Sequence, residues 1–298
     1  MNTLSTRSIE NIVTAVRVLE GGGFPVRRPI PNTEMEQIDP FLLLDHLGPT
    51  EWGPREAIGA PDHPHRGFET VTYLLEGENE HKDSKGNHGR LRPGDVQWMT
   101  AGSGVVHSEL PSPEFFEKGG TMHGFQIWIN LPSKRKMMPP RYQDTPSEKI
   151  PEVVLEDRKS RVRVIAGGFK GVEAVIKTNT PILFLHALLE PGVELNHPVS
   201  IDDNIFAYLI SGKGEFGENE EANSATEGQL VLFALDGDSI SMSSAVDSSL
   251  ELLILGGTPI NEPMVRYGPF VMNTKEEIFQ AFNDFRSVSY TPLRAHET

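Results

Sequence analysis

The sequence predicts an all-β fold: two jelly-roll barrels in tandem, followed by one short C-terminal helix. Three observations predict it. First, short alternating segments rich in Val, Ile, Thr, Tyr and Phe recur along the chain and end in Gly or Pro, as in "FETVTYLLEG", "GFQIWINLP", "VEAVIKTN", "PILFLHALLEPG" and "NIFAYLISGKG". This is the pattern of strands joined by turns. Second, one unit occurs twice. "YLLEG" ends at Gly77 and precedes "LRPGDVQWM", with Gly94 seventeen residues on; "YLISG" ends at Gly212 and precedes "ATEGQLVLF", with Gly228 sixteen residues on. His63-Pro64 leads into the first copy at nearly the distance at which His197-Pro198 leads into the second. The halves therefore read as diverged copies of one β-unit. Third, "NTKEEIFQAFNDFRS" alone carries helical spacing, with Ile278, Phe282 and Phe285 on one side and a Thr274/Glu277 capping box at its start.

Taken in order, residues 1–134 form the first barrel and 153–298 the second, with the helix at about 274–286. A chain of 298 residues is too long for one ordinary core, so two domains are the natural division. Residues 135–152 lie in the proline-rich, charged stretch "PSKRKMMPPRYQDTPSEKIPE" and read as a connector, with Lys134-Arg135-Lys136 as a solvated basic run.

Composition narrows the function. The net charge of −15 repels nucleic-acid phosphates, so direct nucleic-acid binding is not expected. The chain has no cysteine, which removes disulfides, thiolate catalysis and sulfur-ligated metals. The N-terminus "MNTLSTRSIENIV" lacks the basic-then-apolar layout of a secretory signal, and no run of about 18 apolar residues is present. The expectation is a soluble, monomeric, cytoplasmic protein without membrane contact, or a nuclear one if the source is eukaryotic.

The chemistry concentrates in "HPHRGFETVTYLLEG" and "MTAGSGVVHSE". Side chains alternate along a strand, so His63, His65 and Glu69 share a face if the first segment is extended throughout, and Val71, Tyr73 and Leu75 continue that parity. That apolar face reads as the barrel interior. His107 and Glu109 form a second dyad, also two residues apart. A His-x-His and a His-x-Glu facing each other offer a four-point cage for a metal. Three imidazoles and a carboxylate without sulfur suit Fe(II), Ni, Cu, Mn, Co or Zn. His81 and His88, in the turn-rich "EHKDSKGNHG", read as an exposed hairpin, whereas His46, His123 and Gln126 are candidates to line the cavity. In the second half the position matching His65 is Val199, and no His-x-Glu follows "GQLVLFALDGD". The second barrel is therefore expected to hold no metal.

Four stretches carry a family resemblance: "HPHRGFETVTYLLEG", "HKDSKGNHGRLRPGDVQWMTAGSGVVHSE", "HGFQIWINLPSKRKM" and "GPFVMNTKEEI". The chain resembles the pirins, two-domain members of the cupin superfamily, over nearly its whole length. The resemblance places the metal ligands on His63, His65, His107 and Glu109, with one divalent metal per chain, Fe(II) foremost. Cupins in general take their carboxylate four residues after the His-x-His, which here is Glu69. The pirin pattern favours Glu109 and leaves Glu69 as a supporting residue. The resemblance also implies a quercetin 2,3-dioxygenase-type reaction, in which a flavonol and dioxygen give a ring-opened product and carbon monoxide with Glu109 as base. Its alternative is a redox-dependent module that binds a protein partner without turnover, as described for nuclear pirins.

Overall fold

The computed structural model describes residues 4–217 and 223–287. It divides into two compact units that do not follow the contiguous boundaries expected above. Among the described residues, one unit comprises those within 17–28, 41–147 and 260–298, and the other those within 1–16, 29–40 and 148–259.

In the first unit, the larger sheet runs in the order Arg141–Thr145, Val96–Thr100, Phe68–Glu76, Gly120–Asn130, Phe41–Trp52, Phe24–Ile30 and Val16–Glu20. The smaller sheet runs Ala60–His65, Val105–Pro111, Asn79–Asp83 and His88–Leu91. The Arg141–Thr145 strand, inside the expected connector, adds an edge to Val96–Thr100. The basic run is not simply solvated: Lys136 is 1% exposed and donates to the carbonyls of Gly67 at 2.8 Å and Val271 at 3.1 Å and to Asn130 Oδ1 at 2.5 Å. Burial lowers its pKa to about 8.

The chain's last described segment belongs to this same unit. It forms a hairpin, Val265–Tyr267 with Phe270–Met272, and the helix Lys275–Arg286. Thr274 and Glu277 form the expected capping box. The buried side of the helix is Ile278 and Ala281, packed with Phe270 and Met272 and flanked by Phe282. Phe285 lies at the rim and is 37% exposed. Ala281 escaped the periodicity argument because alanine carries little hydrophobic signal.

The second unit is a ten-stranded sheet among the described residues, with Ile9–Thr14, Gln229–Phe233, Asn204–Phe216, Leu250–Gly257, Ile182–Leu189, Arg161–Ala166 and Glu152–Val154 in order. Glu194–Pro198 pairs with Ser239–Ser244, which returns to the far end of Asn204–Phe216. The N-terminal strand thus sits in the unit built mainly from the second half. There it covers an edge, Gln229–Phe233, that would otherwise present unpaired amides and carbonyls. Local pattern cannot report such a long-range pairing. Its core is a large apolar cluster, with Leu195, Phe216, Ile240, Met242 and Leu250 among its members.

Candidate metal centre

His63 and His65 lie on Ala60–His65, which pairs with Val105–Pro111 so that His63 stands opposite His107 and His65 opposite Val105. Directly opposed residues of an antiparallel pair share a face, as do residues two apart, so all three imidazoles point to one side. Their ring centroids lie 4.7 Å (His63–His65), 4.4 Å (His63–His107) and 5.1 Å (His65–His107) apart. A ligating atom from each falls within 4.8 Å of the others, and among the described residues no other such group of three occurs.

The donor atoms fit a metal. His63 Nδ1 donates to the Pro61 carbonyl at 2.7 Å, which leaves the Nε2 lone pair available. His65 hydrogen-bonds to the backbone of Pro269, necessarily its carbonyl, and its buried Nδ1 has no protein partner. Neither nitrogen of buried His107 has one. Burial first, and the neighbouring imidazoles second, hold His65 and His107 well below the usual histidine range. Both are neutral at physiological pH, the state in which imidazole ligates. Unpaired buried nitrogens are costly unless something binds them, and a cation held by three imidazoles resolves that cost.

Glu109 stands beside this cluster with its side chain half-buried, a bulge separating it from His107 in the pairing with Ala60–His65. The Thr72 hydroxyl donates to Glu109 Oε1 at 2.7 Å and lies 2.9 Å from Gln126 Oε1. With one proton it serves one acceptor at a time. His63, His65, Thr72, Glu109, Gln126 and Trp128 line a cavity of about 400 Å³, within the range of small-molecule sites.

Glu69 does not join them. Gly67 adopts φ +87° and turns the chain between His65 and the next strand. A Cβ there would stand 1.9 Å from the Val271 carbonyl oxygen, so only glycine fits. The turn breaks the parity assumed from the sequence. Thr72 now faces the cavity, while Glu69, Val71 and Tyr73 point to the opposite, also buried, face. There Glu69 Oε1 accepts from Thr100 at 2.6 Å. His46 and His123 are corrected in the same way. Their Nε2 atoms approach to 2.8 Å and His46 stacks on Phe125, on the face away from the cavity. Burial, with Arg27 and His123, pulls His46 down to about 2. Of the three residues expected to line the pocket, Gln126 does so.

His81 is not in an exposed hairpin. It is 2% exposed, opposite Glu109 in the sheet, with Nε2 3.2 Å from Asp144 and its ring stacked on Tyr142. Of the two histidines in that stretch, His88 is the exposed one. Residues that sequence reasoning missed include Thr72, Trp128, Asp45 and Arg266. Nothing local marks them, because each reaches the cavity through register or through the returning hairpin. Asp45 is clasped by Arg28 at 2.6 Å through both oxygens, yet burial still pushes it up to about 6.

Two family descriptions match this chain: "Pirin" over residues 23–129 and "Pirin C-terminal cupin domain" over residues 184–291. The chain belongs to the pirin family. A pirin-like protein of Solanum lycopersicum is 44% identical over 90% of this chain and 87% of its own length. Human pirin is 39% identical over 95% of this chain and 93% of its own. A crystal structure titled quercetin 2,3-dioxygenase, from Acinetobacter baumannii, superposes with a TM-score of 0.89 at 36% identity, covering 96% of this chain and 99% of that one. The two β-units are accordingly cupin domains of a pirin, and the histidine cluster lies in the first.

Proposed function

We propose that this pirin is a metal-dependent dioxygenase that opens the ring of a flavonol-type substrate, in the manner of quercetin 2,3-dioxygenases. The observation that carries the reading is the cluster of His63, His65 and His107, the last two held neutral by burial, beside a cavity that His63 and His65 help to line, with a carboxylate next to it and a flat aromatic wall at Trp128. His63, His65 and His107 hold one divalent metal, Fe(II) foremost, with Glu109 as fourth ligand. When bound, that metal supplies a Lewis acid for the substrate hydroxyl and a site for dioxygen.

The chain's own residues do the rest. Glu109 takes the proton of the substrate hydroxyl. Thr72 orients the Glu109 carboxylate through Oε1, and once Glu109 has taken the proton and lost its charge the Thr72 proton can turn to Gln126 instead. Trp128, packed edge-on to His65 with centroids 5.1 Å apart, limits the approach to a planar ring. One flavonol and one dioxygen are consumed; the ring-opened ester-acid and one carbon monoxide are released.

The test is to load the protein with Fe(II), Ni(II) or Mn(II), add a flavonol in air-saturated buffer, and measure carbon monoxide against substrate lost. Equal molar amounts are expected with at least one metal. Metal-loaded protein that releases none with any of them would remove the enzyme reading and leave a partner-binding module.

A further inference from the structure

Among the described residues that line the cavity, one cationic side chain is not used by the reaction above. Arg266, on the Val265–Tyr267 strand of the returning hairpin, lines the cavity and is half-buried. Its guanidinium carbon lies 4.7 Å over the Trp128 ring, and the same ring packs edge-on against His65 at 5.1 Å. Arg266 and the metal-ligating face are therefore separated by a single indole. Of its five N–H donors, one has a hydrogen-bond partner among the described residues: Nη1 donates to the Leu42 carbonyl at 3.1 Å. Among the described residues no carboxylate lies within ion-pair distance of it.

Charge balance is the simpler explanation and has to be weighed. Glu20 and Asp45 are near enough to influence Arg266, but both are engaged by Arg28, Asp45 through two oxygens. An arginine needed only to neutralise Asp45 would duplicate a contact already made. Nor does stacking on Trp128 require a charge, since an apolar side chain packs there without the loss of hydration that lowers the Arg266 pKa. A guanidinium with free donors beside an apolar ring is suited to a planar anion, because its fork matches a carboxylate in two parallel hydrogen bonds.

We propose that Arg266 is the anion-recognition residue of the cavity, and that the ligand class of this pirin is an aryl carboxylate whose ring hydroxyl faces His63, His65 and His107 while its carboxylate meets Arg266. The proposal rests on the cavity being a small-molecule site at a metal centre, not on a flavonol as substrate. The acid product of the proposed ring opening is itself an aryl carboxylate, so the same contact serves an anionic substrate or a departing product.

The test compares 3,4-dihydroxybenzoate with 3,4-dihydroxybenzamide, which present the same hydroxyls and differ in charge at the far end. Dissociation constants are measured by calorimetry on metal-loaded unchanged protein, Arg266→Gln and Arg266→Lys, with metal content checked in each. Removing a charge-assisted pair should weaken the acid by about 10- to 100-fold in Arg266→Gln, and the amide by less than about threefold. Arg266→Lys, which keeps the charge but not the fork, should fall between. Equal losses for acid and amide, or no loss for either, overturn the proposal. Should Arg266→Gln fail to fold, the acid-over-amide ratio of Arg266→Lys decides: a ratio equal to that of the unchanged protein overturns the two-bond carboxylate contact. Oxygen uptake with the acid would assign it as substrate. Competitive inhibition of flavonol turnover by the ring-opened acid, weaker in Arg266→Gln, would assign it as product. If no flavonol is turned over at all, the dioxygenase reading fails while the binding comparison still stands or falls alone.

Discussion

The two cupin units use one strand pattern to enclose opposite interiors. In the first, His63 faces His107 across Ala60–His65 and Val105–Pro111. In the second, the same pairing of Glu194–Pro198 with Ser239–Ser244 sets His197 opposite Ile240, and Met242 stands two residues further on where Glu109 stands in the first. His197 packs against Phe169 at 5.3 Å and His186 lies 3.0 Å from Glu251, so the two remaining histidines are held by different neighbours. Ile240 and Met242 are buried members of a continuous apolar core. Around the first site, by contrast, lie Thr72, Gln97, Gln126, His81 and Asp144, tied by side-chain hydrogen bonds. Backbone ladders close either barrel whatever points inward, so the interior is free to specialise. One unit specialises for packing, and the other for a polar cage in which buried nitrogens of His65 and His107 have no hydrogen-bond partner among the described residues.

The largest effect that would sharpen this contrast is on turnover. Glu109→Gln keeps the volume but removes the proton acceptor, and any flavonol oxidation should drop roughly 10²- to 10⁴-fold while three histidines retain much of the metal. Glu69→Gln, on the opposite face with Thr100, should leave turnover within a fewfold. Oxygen uptake and metal content measured together separate the two, and similar losses from both would show that the two faces are not independent.

Metal affinity comes next. Loss of the partners that orient ligands commonly costs 10- to 100-fold, so loss of a ligand, as in His65→Ala, should cost more than about 100-fold. His197→Ala should leave metal content unchanged. Elemental analysis after equilibrium dialysis checks both, and equal reductions would break the distinction between the units.

Ile240→Ala probes the apolar unit. Truncating a buried isoleucine should cost about 2–5 kcal/mol in denaturant unfolding, with no change in metal bound. A cost below about 1 kcal/mol would mean that this interior is not close-packed.

The smallest effect is on pH dependence. In the unfolded chain His65 and His107 titrate near 6.5, whereas in the folded metal-free protein burial holds both well below that. Above about pH 6.5 both states are neutral and nothing is gained. Below it the unfolded chain binds protons that the folded chain does not, so stability falls with falling pH by up to about 1.4 kcal/mol per unit for each histidine. Urea midpoints of metal-free protein between pH 7.5 and 5.5 should decline, and the His65→Gln/His107→Gln double variant should decline less. An unchanged slope would show that these two imidazoles are not neutral in the fold.

Strand identity, the repeat, the helix cap and the two dyads were legible in the sequence because each is a local property. Alternation has a period of two, turns need Gly or Pro, and a capping box spans four residues. His63, His65 and His107 were found because dyads two residues apart share a face on any strand. What local pattern could not reach was decided by register and by returning segments. Gly67 reverses the parity of the next strand and turns Glu69 from the cavity to the opposite face, while bringing Thr72 in. Ile9–Thr14 finds its partner at Gln229–Phe233, more than two hundred positions away, and Arg266 reaches Trp128 through a hairpin that follows the whole second barrel. Lys136 and His81 look solvated in sequence because their charge and their turn-rich neighbours suggest it. They are buried because backbone carbonyls and Asp144 wait for them in the fold. Residues near in sequence set which elements form. Which side chains meet depends on contacts whose entropic cost is met only when the whole sheet closes.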